Sequence, residues 1–176
     1  MRVYTVQRIE AYREMREKGY LIGKEKYAWD YFEKPYKWMV SKMKTRIPNF
    51  KGENYPIWVW KRRPNRNEKA LFKRGTRGVI LTLEIPDDQI LFSDFDSWHS
   101  VLNNSPVCDN EEDWEKYLKD EYNYPVEETW EKIFDFEYLR NGDKDWRGEF
   151  NEEWIQGVTP RISMEQVKKV NRFIAK

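Results

Sequence analysis

Apolar positions recur along this chain with two different periods, and the switches between them lay out the elements. Val3-Tyr4-Thr5-Val6 is β-branched and aromatic, which predicts a short opening strand. Ile9, Tyr12 and Met15 then recur every third residue up to Gly19, the pattern of a short helix over 8–18 with a glycine stop. Tyr20-Leu21-Ile22 returns to extended chain. The strongest helical signal lies at 35–47, where Tyr36, Met39, Val40, Met43 and Ile47 share one face. Lys37, Lys42, Lys44 and Arg46 fall off that face. Pro35 suits the first helical position, and Pro48 ends the helix.

Tyr55-Pro56-Ile57-Trp58-Val59-Trp60 reads as a strand starting just after a proline, in an early or edge position. Val79 to Ile85 is the strongest strand, with Val79, Leu81, Leu83 and Ile85 on one side. Pro86-Asp87-Asp88 turns the chain into a short strand over 89–92. Ser93 or Asp94 can cap a helix that buries Phe95, Trp98, Val101 and Leu102. Further helices open at Glu111, carrying Trp114, Tyr117 and Leu118, and at Glu127, with Trp130, Ile133 and Phe134 inward. Trp154 to Thr159 is a late strand. Ser163 and Gln166 have capping-box spacing, and 167–174 fits helix or strand. Strands at both ends with helices between predict an α+β fold: one domain over 1–176, a small mixed β-sheet and flanking helices.

Composition changes this picture little, and charge order changes it more. Aromatic residues make up 16% of the 176, which argues against disorder and for an aromatic core. Residues 1–77 carry 21 Lys/Arg against 8 Asp/Glu, whereas 78–153 carry 6 against 22. Such segregation means either mutual neutralisation across the fold or a field offered to a charged partner. A single cysteine, Cys108, excludes an internal disulfide, and a single histidine, His99, excludes a multi-histidine metal site. No metal is expected. No apolar run reaches the ~20 residues that span a bilayer, and no signal peptide is visible, so a cytosolic protein without membrane partners is expected.

Four features carry candidate chemistry. Asp96 and His99 are three apart on a predicted helix, so an acid–imidazole pair is possible; the alternative is a capped helix with a structural histidine. The basic stretch 61–77, with Arg62 and Arg63, follows Trp58 and Trp60, which suits a nucleic acid or a dinucleotide as well as a solvated loop. The acidic run 109–121 lacks metal spacing and reads as a solvated face. Trp29, Trp38, Trp58, Trp60 and Trp98 supply core or cleft walls, and Trp38, off its helix's apolar stripe, suits a groove edge. Glycine-rich phosphate loops are missing.

The segments Tyr4-Thr5-Val6-Gln7, Tyr36-Lys37-Trp38-Met39, Pro56-Ile57-Trp58-Val59-Trp60, Ser93-Asp94-Phe95-Asp96-Ser97-Trp98-His99 and Ile155-Gln156-Gly157 together resemble an uncharacterised bacterial and phage domain family. The opening 4–19 and the ending 154–174 also look like ADP-ribosyltransferase-like domains. Thr5 stands where that group's opening motif has histidine, and Gln156 where it has the catalytic glutamate. Glu152 and Glu153 are near, yet on one strand Glu153 faces away from Gln156. The resemblance implies a nucleotide or NAD site with altered or absent catalysis. Thr5 and Gln7 would bind the nicotinamide-ribose side, Trp38 or Trp60 would stack, Arg62 or Arg63 would hold the pyrophosphate, and Gln156 would sit at the reacting centre. Two other classes remain open: a nucleic-acid module using 61–77, and a protein-interaction module using the acidic 109–153.

Overall fold

The computed structural model describes residues 1–25, 30–68 and 72–176. Trp29 and Lys69 therefore lie outside the described residues. The order is β1 (Arg2–Arg8), α1 (Ile9–Lys18), β2 (Tyr20–Ile22), α2 (Glu33–Arg46), β3 (Ile57–Trp60), β4 (Arg77–Glu84), β5 (Leu91–Asp94) and α3 (Phe95–Leu102). Then come α4 (Glu111–Leu118), α5 (Val126–Thr129), α6 (Phe136–Asn141), α7 (Lys144–Arg147), β6 (Ile155–Thr159), β7 (Arg161–Ser163) and β8 (Val167–Ile174).

Six strands form one sheet in the order β5-β6-β3-β1-β4-β8, and β2 pairs with β7 apart from it. The α+β expectation holds, but the sheet is antiparallel at every described pairing rather than mixed. Parallel neighbours need a crossover that returns the chain in its first direction. Here the helical connections reverse direction instead, a choice that alternating strand and helix patterns do not reveal.

Each face of the sheet carries its own core. Val3, Val79, Leu81, Leu83, Ile57 and Val59 pack under Ile9, Tyr12 and Met15 of α1, with Ile162 of β7. On the other face, Leu91 and Val158 pack under Met39 and Met43 of α2, Trp98 and Val101 of α3, and Trp130 and Ile133 of the 3-10 turn Trp130–Phe134. Burying a Met or Leu side chain contributes about 1.5–3 kcal/mol, so these stripes decide the assembly. Gly19 ends α1 with φ of 83°, a left-handed residue that favours glycine. Gly157 is bare for a different reason: a Cβ there would lie 2.7 Å from Ile90 Cγ2.

Local differences from the sequence reading have physical causes. Helix α2 begins at Glu33, one half-turn before Pro35, because the first helical N–H groups lack partners anyway. Strand β5 runs two residues later than 89–92, since Asp87–Gln89 is a 3-10 turn. Asp94, and not Ser93, caps α3: its Oδ2 accepts from Ser97 N at 2.7 Å, a cap worth ~1 kcal/mol. The 111–118 helix buries none of its residues, and Leu118 is exposed. Residues 167–174 resolve as strand, paired with β4 along its length, and the capping box at Ser163 and Gln166 is present.

Candidate functional site

Strands β1 and β3 pair at Tyr4 and Trp60 only. Beyond that point the Thr5 hydroxyl takes over the link, donating to the Trp58 carbonyl at 2.7 Å. Its remaining lone pair accepts from Gln7 Nε2 at 2.9 Å. This relay fixes the amide orientation of Gln7, because the Thr5 proton is already committed and only an N–H can approach. A cleft of about 580 Å³ opens here, lined by Val6, Gln7 and Arg8 on one side and by Tyr36, Tyr55, Trp58 and Trp60 among the other wall residues.

The walls are held by aromatic contacts. Tyr36 stacks on Tyr55 at 6.0 Å and meets Trp58 edge-on at 6.3 Å. Trp58 Nε1 donates to the Tyr36 hydroxyl at 3.3 Å. Burial pushes the Tyr36 phenol above its usual range, with that hydrogen bond acting the other way, so it stays neutral at physiological pH. Arg8 lies over the Phe72 ring at 5.7 Å and has no carboxylate partner among the described residues. Lys24, also on the wall, is neutralised by Glu14.

The strand register sorts the expected site residues. Tyr4 faces Trp60, Trp60 faces Gln156, and Gln156 faces Ser93, so these four form a row across β1, β3, β6 and β5 on one side of the sheet. Thr5 and Gln7 point to the other side. The structure does not place Gln156 with them, and Gln156 does not line the cleft. Trp60 joins the two groups, as a cleft wall and as the neighbour of Gln156. Gln156 and Ser93 are both buried, and Gln156 Nε2 and Ser93 Oγ lack hydrogen-bond partners among the described protein atoms. Such orphans in a native interior ask for a ligand or ordered water.

Other expected residues go elsewhere. Trp38 is wedged between Trp130, at 5.4 Å, and Phe134, at 5.6 Å, away from the cleft. Arg62 is ion-paired with Glu153, so it is not free for a phosphate. Arg63 is exposed and outside the cleft. Arg8, Tyr4, Tyr36, Tyr55 and Ser93 were missed by sequence reasoning. Alternation along β1 separates Tyr4 from Thr5 and was readable, but the row depends on register, which was not.

A second cleft, of about 810 Å³, holds Asp96, His99 and Cys108 between α3, α4 and the 146–154 segment. His99 donates through Nδ1 to the Phe95 carbonyl at 2.9 Å, one turn back in its own helix, so the histidine is structural here. Burial, then the neighbouring Asp94, pushes the Asp96 carboxyl up, with His99 opposing. Burial likewise raises the Cys108 thiol to about 11, which keeps it protonated and unreactive near neutral pH. Among the described residues, no group of three His, Cys, Asp or Glu is placed to hold a metal, and no helix is long and apolar enough to cross a membrane.

The fold and its clefts define an α+β domain with an antiparallel sheet split at β1 and β3. The chain belongs to the family described as a domain of unknown function, DUF3841, which matches residues 2–168, in agreement with the resemblance to an uncharacterised family. No curated protein and no solved structure matched the chain.

Proposed function

We propose that this domain binds a small ligand with a planar ring and an anionic tail, of nucleotide type, in the cleft between β1 and β3. NAD is the candidate that the ADP-ribosyltransferase resemblance suggests. One observation carries the reading: two neighbouring strands that pair at a single position and then open an aromatic-walled cleft at the sheet's centre. Aromatic walls suit a flat ring, and the oriented Gln7 amide suits a carboxamide or ribose hydroxyl. The anion-holding role passes from Arg62 and Arg63 to Arg8, the wall cation without a carboxylate partner.

Gln156, buried beside Trp60 on the other side of the sheet, does not reach this cleft. An amide can neither take a proton nor carry the negative charge that steadies an oxocarbenium-like centre. The reading is therefore binding, with transferase chemistry altered or absent. The test is titration of the intact protein with NAD and, in parallel, ATP, followed by tryptophan fluorescence and thermal shift. Saturable quenching and a raised melting temperature are expected. Gln7→Ala should weaken binding about tenfold, the equivalent of ~1.4 kcal/mol for a lost hydrogen bond. No response to either nucleotide overturns the proposal.

A further inference from the structure

The two charge zones of the sequence meet, but unevenly. Lys34 pairs with Glu127, Lys42 and Arg46 with Glu131, Lys61 with Glu152 and Arg62 with Glu153. Lys34, Lys42 and Arg46 of α2 and the start of the basic stretch are thus consumed by the acidic half, while Lys37 pairs with Glu33 of its own helix. At the other end of the sheet this does not happen. Arg13 and Arg16 of α1, Arg77 of β4 and Arg172 of β8 line one groove of about 390 Å³ with Tyr12 and Phe173. None of the four guanidiniums has a carboxylate partner among the described residues, and all four side chains are exposed.

Chain geometry adds to the same end. Gly75 N donates to the Ala175 carbonyl at 2.8 Å and Ala175 N to the Thr76 carbonyl at 2.9 Å, which prolongs the β4–β8 ladder. Lys73 and Arg74 precede Gly75 in the chain, and Lys176 follows Ala175. Edge protection explains cations on β8, which is an edge strand of the sheet. It does not explain Arg13 and Arg16, one turn apart on a helix and facing the same groove.

We propose that this α1–β4–β8 groove binds the phosphodiester backbone of a single-stranded nucleic acid. Several guanidiniums along one groove match a line of phosphates, each of which takes a forked pair of N–H bonds. Phe173 is paired with Gly78 and Arg172 with Val79, so the Phe173 ring turns to the other side of the β8 edge strand from the guanidiniums, where it stacks on Phe72 at 6.1 Å, and Phe72 in turn lies under Arg8 on the wall of the β1–β3 cleft. A strand with its phosphates on the guanidiniums would turn its unpaired bases over that sheet edge to stack on these rings. The groove, not Lys61 and Arg62, is the site, and the inference does not depend on what fills the β1–β3 cleft.

The test is fluorescence anisotropy with labelled 12-nucleotide RNA and DNA single strands across a salt series, without added nucleotide. Binding that weakens steeply with salt is expected. The Arg13→Gln/Arg172→Gln double variant should bind on the order of tenfold or more weakly at low salt. Its slope of log K against log salt should be lower by about 1.4, two contacts at ~0.7 each. Arg62→Gln should bind as the parent does. Melting curves check that both variants fold, which surface substitutions of this kind allow. Unchanged affinity and slope in the double variant overturn the proposal. Equal binding of a poly-glutamate peptide of matched charge also overturns it, because the groove would then be a general anion surface.

Discussion

At the scale of single residues, the sharpest prediction concerns Gln156. Its side chain is 2% exposed and its Nε2 has no partner among the described protein atoms, directly opposite the equally unpartnered Ser93 Oγ. A buried donor left unpaired costs ~1–3 kcal/mol, so a side chain of similar size without the donor should relieve that cost. Gln156→Leu is expected to raise stability by about 1 kcal/mol in urea denaturation and to leave nucleotide binding in the β1–β3 cleft unchanged. A destabilised Leu variant would mean that the amide is satisfied by ordered water and holds the sheet together.

At the scale of elements, most of the outline was legible and the pairings were not. The spacing of Ile9, Tyr12 and Met15 and the stop at Gly19 gave α1 within one residue, since a helix encodes its buried face locally. Strand β8 stayed ambiguous because Val167, Val170 and Ile174 have helical spacing, and only its ladder with β4, with a register shift at Thr82/Leu83, puts Val167 and Val170 on one side of a strand. The site was less legible for the same reason: Thr5 and Gln156 look like partners in sequence, whereas one step of alternation turns them to opposite faces. Helix α1 also offers a pH test. Hydrogen bonds from Lys18 and then Lys24 hold the Glu14 carboxyl down at about 2, from an ordinary 4.5. A carboxyl depressed in the folded state stabilises above its unfolded pKa and loses that contribution as pH falls through the folded value. Comparison of melting temperatures for the parent and Glu14→Gln should therefore show a small gap at pH 6 that closes between pH 4.5 and about 2. A gap that persists at pH 2 would assign the effect to packing rather than charge.

At the scale of the whole molecule, the order of charge along the chain becomes an arrangement in space. Basic α2 and residues 61–62 face the acidic half, and the arginines of α1, β4 and β8 are left over. If the contacts between zones serve mainly to neutralise, removing one should cost little and salt should erase the cost. The pairs are partly exposed, with Glu131 at 40% and Arg62 at 63%, and exposed pairs are worth only ~0.2–1 kcal/mol each. Glu131 serves two cations, Lys42 and Arg46, so Glu131→Gln should destabilise by about 1 kcal/mol or less, and Arg62→Gln by about half that. Both differences should shrink in 1 M salt, where the screening length is ~3 Å. Urea denaturation at low and high salt measures them. A cost of several kcal/mol that ignores salt would make the zone contacts part of the core. A small, screened cost leaves the two apolar cores to hold the fold and frees surface charge to be distributed for binding, which is what concentrates unpaired arginine at one end of the sheet.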